Sequence, residues 1–288
     1  MSVAGGLPFA IARAQVHKCE TLQIFSKNAS QWRARPLPPH EIAAFRAAAR
    51  DTGISPIVAH ASYLINLATT SDTLRAQSIA ALGEEVDRAE ALGLLGVVLH
   101  PGARMAAPTE QALSLISTAL TAVLKARPRG KTMILLEHTA GQGSTMGSTF
   151  EEIAAMIRKV KNNKRLGVCL DTCHLLASGY DLCTEAGYRA TFDKFEALIG
   201  FDRLKVFHMN DSKKPCMSRV DRHEHIGKGC IGLEPFRRLL NDPRFDHLPM
   251  ILETEKSDWR EKGKVVIDPL DEMNLNTLRS LRKPSTGD

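Results

Sequence analysis

Short apolar runs that end on a metal-ligand type of residue recur along this chain, and that recurrence restricts its fold more than any other feature. The clearest case is LGVCLDTCHLLASGYD, Leu166 to Asp181, in which the run Leu166 to Leu170 ends on Asp171 and His174 follows three residues later. A buried strand has no use for a carboxylate unless it is paired or holds a cation, so Asp171 belongs at the functional end of the strand rather than in the core. The same pattern appears at Ile57 to Ala59 before His60, Gly96 to Leu99 before His100 and Met133 to Leu136 before Glu137. It appears again at Leu204 to Phe207 before His208 and at Met250 to Leu252 before Glu253. A seventh run, Thr21 to Phe25, ends at Ser26, Lys27 and Asn28.

Helical periodicity fills the intervals, at about 10–16, 41–49, 72–92, 110–125, 151–160, 184–198, 233–240 and 268–281. Alternating strands and helices with short connections predict a parallel sheet covered by helices. An open doubly wound sheet gathers its ligands at one switch point, whereas a TIM (β/α)8 barrel is fed by every strand end. Ligand-type residues on six different strand ends therefore predict an α/β TIM barrel, one domain over residues 1–282 with a polar tail, 283–288. The glycine-rich stretch Gly141 to Gly147 follows Glu137 and lacks the spacing of a dinucleotide fingerprint. The barrel's first strand should precede the helix at Ala10, where only SVAGGLP stands. The expectation is that the first strand is missing from this chain and that a short apolar strand is encoded just upstream of Met1.

Composition excludes several classes. With 43% hydrophobic and 24% charged residues in 288, the chain has ample core. No apolar run approaches the roughly 20 residues of a membrane helix. The N-terminus lacks a basic segment before its apolar run, so a cytoplasmic protein without a membrane partner is expected. The six cysteines form no C-x-x-C pair and are expected to be structural thiols. A formal net charge of +6 permits an anionic partner, but its placement decides whether there is one.

The candidate ligands are His60, His100, Glu137, Asp171, His174, His208, Asp221, His223 and Glu253. A lone histidine at a strand end is more often a hydrogen-bonded structural residue, and Asp171 with His174 alone is a weak signal; six ends in phase are not. Nine ligands exceed what one ion takes and suit about three with one carboxylate bridging. Structural zinc would use clustered thiolates, and the cysteine spacing does not provide them.

These residues sit in motifs. HASYLINL (His60 to Leu67), GVCLDTCH (Gly167 to His174) and HMNDSKKPCMSRVDRH (His208 to His223) resemble the three signatures of the endonuclease IV family of apurinic/apyrimidinic endonucleases. LEHTAGQGSTMG and ILET add two matches, and the resemblance runs from about Ser2 to Trp259. It implies a TIM barrel with three zinc ions. One would be held by His60, His100 and Glu137, a second by Glu137, Asp171, His208 and Glu253, and a third by His174, Asp221 and His223. Zinc at every site, or manganese at some, stays open. The implied reaction is hydrolysis of the phosphodiester 5′ to an abasic deoxyribose in duplex DNA, leaving a 3′-hydroxyl and a 5′-deoxyribose phosphate, with trimming of blocked 3′ ends. Metal ions can activate the attacking water and neutralise the leaving oxygen, so no side-chain nucleophile is required, and Glu137 is the expected catalytic residue. An abasic nucleotide has no base to unstack, which favours its extrusion. The expected partner is therefore double-stranded DNA bound by a monomer, in the cytoplasm and at the nucleoid.

DNA contacts are expected from loops on the same face. Arg33 and Arg35 beside Trp32, with Lys213, Lys214, Arg219, Arg222 and Lys228, are the candidates for phosphates, and Tyr63 with Leu64 for a wedge at the lesion. Singly, each has the bland reading of a solvated charge or rim packing. Three departures from the family stand out: the Gly-Ala-His ending of its first strand is absent, Ser30 replaces an arginine of some members, and Met217 stands where glycine is usual. The alternatives are a sugar isomerase of the same barrel type and a non-enzymatic DNA-lesion binder with structural zinc. The Asp221-Arg222-His223 element, which would furnish a third metal, speaks against the isomerase.

Overall fold

Alternation along the strands builds the barrel. The computed structural model describes residues 1–161, 163–257 and 264–283; Trp259 and the tail beyond Lys283 lie outside them. Six strands follow one another as β1 (Leu22–Ile24), β2 (Ile57–His60), β3 (Gly96–Leu99), β4 (Met133–Glu137), β5 (Leu166–Asp171) and β6 (Leu204–His208). A two-residue hairpin, β7 (Asp211–Ser212) with β8 (His223–Glu224), precedes β9 (Met250–Ile251). The sheet runs β1-β2-β3-β4-β5-β6-β9, with every neighbouring pair parallel. It is a TIM barrel lacking one strand, and among the described residues no eighth strand fills the seam between β1 and β9.

Two apolar clusters follow from the period of two. Val58, Val98, Leu135, Cys169, Val206 and Ile251 form the smaller one, inside the barrel. His60, His100, Glu137, Asp171, His208 and Glu253 each lie two residues further on, so the alternation that aims those residues inward also aims the ligands inward at the carboxyl mouth. The opposite faces of the strands, such as Leu22, Ile24, Leu136 and Phe207, pack under the surrounding helices. Gly167 in β5 is required by close approach: a β-carbon there would stand 2.8 Å from Leu135 Cδ2 and 2.9 Å from Lys205 Cγ.

The helices are α1 (Pro8–Val16), α2 (Pro39–Thr52), α3 (Asp72–Leu92), α4 (Thr109–Lys125), α5 (Phe150–Lys159), α6 (Thr172–Ser178), α7 (Glu185–Leu198), α8 (Leu233–Leu240) and α9 (Pro269–Leu281). Boundary signals set them: Ser71, Thr149, Thr184 and Asp268 cap α3, α5, α7 and α9, proline starts α2, and left-handed Gly53 and Gly93 end α2 and α3. Periodicity anticipated all but α6, whose seven residues are too few to display it. No described helix is long and apolar enough to cross a membrane.

Candidate metal centre

Glu137 is the centre of the site. It is fully buried at the end of β4, and its two oxygens face two different groups of ligands. Oε2 lies 3.2 Å from His60 Nε2 and 3.0 Å from His100 Nε2, while Oε1 lies 3.1 Å from His208 Nδ1. The ligand atoms of His60, His100 and Glu137 form one group within 4.8 Å of one another, and those of Glu137, Asp171, His208 and Glu253 form a second. In the second group, Glu253 Oε2 is 3.0 Å and Asp171 Oδ2 3.9 Å from His208 Nδ1.

A third group is built by elements that periodicity does not reveal. Asp171 caps α6, accepting the His174 N–H at 3.0 Å, and this turn directs the His174 ring across the mouth. The β7–β8 hairpin returns the chain so that His223 pairs in register with Ser212, and the Lys213 N–H donates to Arg222 O at 2.9 Å to close the loop between them. His174 Nε2 then lies 3.2 Å from Asp221 Oδ2, and His223 Nε2 lies 3.3 Å from Asp221 Oδ1. Asp171 Oδ2 is 3.5 Å from His223 Nε2, so this carboxylate faces both the second and third groups. Cys173 Sγ also falls with Asp221 and His223, but burial pushes its thiol up to about 12 and it donates to Arg222 O at 3.6 Å.

Burial alone would raise the Glu137 carboxyl, yet His100 and His208 hold it well below the usual range. Burial likewise opposes ionisation of Glu253, and His208 brings it down to about 2. Burial disfavours a charge on His174, but Asp171, Asp221 and Glu137 outweigh it and raise the imidazole well above its ordinary value. Four carboxylates converging in a largely buried mouth demand positive charge. The residues fit a metal ion as its source: His174 Nε2 and His223 Nε2 are buried, aimed at Asp221 and without a hydrogen bond, and imidazole nitrogen with carboxylate oxygen is a donor set for zinc or manganese.

Comparison with known proteins establishes the family. Residues 11–276 match the family described as a xylose isomerase-like TIM barrel. A probable endonuclease 4 of Chloroflexus aurantiacus is 47% identical over 281 residues, covering 98% of this chain and 96% of its own. This chain belongs to the endonuclease IV family. A probable endonuclease 4 of Geobacter sulfurreducens is 46% identical, covering 99% of this chain and 94% of its own. The crystal structure of endonuclease IV from Thermus thermophilus matches with a TM-score of 0.84 and 34% identity, over 98% of this chain and 96% of that one.

The residues expected to face DNA are distributed unevenly. Tyr63 is 60% exposed, with its ring centroid 5.3 Å from that of His60 and 6.2 Å from that of His100, so it stands over the first ligand group. Leu64 beside it is half-buried. Arg33, Lys214, Arg219 and Arg222 are exposed. Lys213 lies 3.9 Å from Glu255, and Lys228 Nζ lies 3.4 Å from Met273 Sδ. Arg35 is committed to Glu41, donating to both carboxylate oxygens at 2.8 and 2.9 Å, and Trp32 packs against the core under its loop. Ser30 is exposed, its N–H donating to Asn28 Oδ1 at 2.9 Å. Met217 keeps a left-handed backbone at φ +65° despite its β-carbon, and its N–H ties the loop to Leu176 O at 3.1 Å.

Sequence reasoning passed over Gln23, Asn210 and Gln142. Asn210 donates to Asp171 Oδ2 at 2.6 Å and accepts the Glu253 N–H at 2.8 Å. Gln142, from the glycine-rich loop, accepts the Asp221 N–H at 2.9 Å. The signal for Gln23 was a lone amide within the apolar run TLQIF.

Proposed function

We propose that this protein is a metal-dependent apurinic/apyrimidinic endonuclease that hydrolyses the phosphodiester 5′ to an abasic deoxyribose in duplex DNA. The products are a 3′-hydroxyl and a 5′-deoxyribose phosphate, and the same site trims blocked 3′ ends. The observation that carries the reading is the two-sided placement of Glu137, with the third ligand group joined through Asp171.

His60, His100 and Glu137 would hold one zinc or manganese ion, Glu137, Asp171, His208 and Glu253 a second, and His174, Asp221 and His223 a third. Bound there, the ions supply Lewis acidity that lowers the pKa of water and neutralises charge developing on phosphate and leaving oxygens. The protein's part is to fix the ligands. Glu137, Asp171 and His208 are fully buried and cannot reorient, which gives the pre-organised electrostatics that such a reaction needs. Tyr63 would fill the space left by the missing base, and the exposed Arg33, Lys213, Lys214, Arg219, Arg222 and Lys228 would meet phosphates. The protein acts as a monomer on its DNA.

A duplex carrying one tetrahydrofuran abasic mimic tests the reading. Incision on the 5′ side, lost on chelation and regained with zinc, is the expected result; an intact mimic, or incision that persists in excess chelator, overturns it.

A further inference from the structure

We propose that Gln23 is a positioning residue of the metal centre, which sets the tautomer of His208 and the orientation of Glu253; the inference rests on the metal-dependent reading above. A neutral imidazole has one nitrogen with a free lone pair and one that carries a proton, and whatever accepts that proton decides which nitrogen is free for a metal. Three of the five ligand histidines are anchored by backbone carbonyls. Their Nδ1 atoms lie 2.8 Å from Ala61 O for His60, 2.9 Å from His138 O for His174 and 3.2 Å from Glu253 O for His223. In each, Nε2 faces a carboxylate; His174 Nδ1 also lies 3.3 Å from Glu137 Oε1, but the nearer His138 carbonyl can only accept and so keeps the proton on that nitrogen.

His208 is the reverse. Its Nδ1 faces Glu137 and Glu253, and its Nε2 lies 2.9 Å from Gln23 Oε1. The two ends of an amide can be told apart here by chemistry: the Gln23 Nε2 lies 2.5 Å from Glu253 Oε1, and a carboxylate can only accept, so the amide nitrogen is on that side and the amide oxygen on the side of His208. The oxygen then requires a proton on His208 Nε2 and leaves the Nδ1 lone pair free. The same amide occupies Glu253 Oε1 and leaves Oε2 for the ligand group.

The placement is specific to the fold. Gln23 is buried in β1, in register with Val58 of the apolar cluster inside the barrel, where the other strands supply valine, leucine, isoleucine and cysteine. β1 and β9 are the two edges of the sheet, so the amide also links them across the seam. Because the anchor of His208 is a side chain, mutation can remove it, which is impossible for the backbone anchors of His60, His174 and His223.

The test uses the full-length protein and zinc. Gln23→Leu should lose about 10–100-fold in affinity for one zinc ion in chelator competition, with kcat on the abasic duplex reduced and KM little changed. Gln23→Glu, which keeps an acceptor for His208 but turns repulsion on Glu253, should fall between. In the zinc-loaded wild type labelled with 15N-histidine, one ligand imidazole should carry its proton on Nε2 while the other anchored ones carry it on Nδ1; this spectrum decides the matter even where Gln23→Leu does not fold. A folded Gln23→Leu that binds zinc as tightly as wild type, or a His208 protonated on Nδ1, overturns the proposal. Either result leaves metal-dependent incision by the wild type intact, whereas absence of that incision overturns the function reading separately.

Discussion

Glu137 is the residue on which the proposed chemistry turns, because its separate oxygens face two ligand groups. Glu137→Ala should reduce incision below detection and leave affinity for an abasic duplex within a few-fold of wild type, since the residue is buried and does not reach the surface. Equilibrium binding and single-turnover incision on one preparation check this; a variant that retains near-normal turnover removes the bridging role. His60, His100, Glu137, Asp171, His208 and Glu253 were legible in the sequence because each ends an apolar run, and a strand end fixes direction as well as place. Gln23 was not legible as part of the site. Its role depends on His208 and Glu253, about two hundred residues distant in sequence, and no local pattern reports such a partner.

At the scale of elements, α3 holds the loops that carry the rim. Glu85 accepts from Ser26 Oγ at 2.8 Å and from the Ser62 N–H at 3.3 Å, and Arg88 donates to Arg35 O at 2.9 Å, to Ser26 Oγ at 3.1 Å and to Ser26 O. This buried pair, one helical turn apart, therefore ties the loop after β1 to the Tyr63 loop after β2. Glu85→Ala leaves Arg88 and Lys27 buried without their countercharge and should destabilise the fold by about 3–5 kcal/mol. In the fraction that remains folded, KM for abasic DNA should rise more than kcat falls; denaturant melts and steady-state kinetics measure the two effects.

A second element reports on pH. Asp268 caps α9 by accepting from the Leu270 and Asp271 N–H groups at 2.9 and 3.2 Å, and from Ser257 N–H at 3.1 Å. Burial would raise this carboxyl, but the N–H donors prevail and depress it. A depressed folded-state value stabilises above the unfolded value of about 3.9, and the stabilisation is lost as pH falls through the folded value. Asp268→Asn keeps a capping acceptor and should cost under about 1 kcal/mol at neutral pH, with the difference from wild type shrinking in melts as pH is lowered through the carboxylate range. The cap matters to the site because Asn274 of α9 accepts the Ile226 N–H at 2.9 Å and so supports the strand that carries His223. The hairpin itself escaped sequence reading: two-residue strands have no period, and their pairing is set by Asp211, whose buried carboxylate gathers the N–H groups of Gly227, Gly229 and Ile231.

At the scale of the whole molecule, the proposed function uses part of the excess positive charge to bind phosphates around the mouth. Lys213 and Lys214 are exposed on the loop that carries Asp221, so replacing both with alanine should reduce the magnitude of the slope of log affinity against log salt by about one per lysine. An unchanged slope counts against phosphate contact. The same view shows what the sequence could not sort: Arg33 and Arg35 look alike in NASQWRARPLPP and both are exposed, yet Arg35 also pairs with Glu41, which sits on the following helix. Fold class and strand order were legible because a (β/α) repeat determines them; the division of charged residues between structure and surface was not, because it depends on tertiary neighbours.

Three ligand groups joined through Glu137 and Asp171 should work as one metal centre. Titration of the metal-stripped protein with zinc, following incision of the tetrahydrofuran duplex at each addition, tests this most directly. The predicted result is activity that stays low through the first two equivalents and returns as the third is bound. Full incision at one equivalent, or incision by the metal-stripped protein, would contradict it.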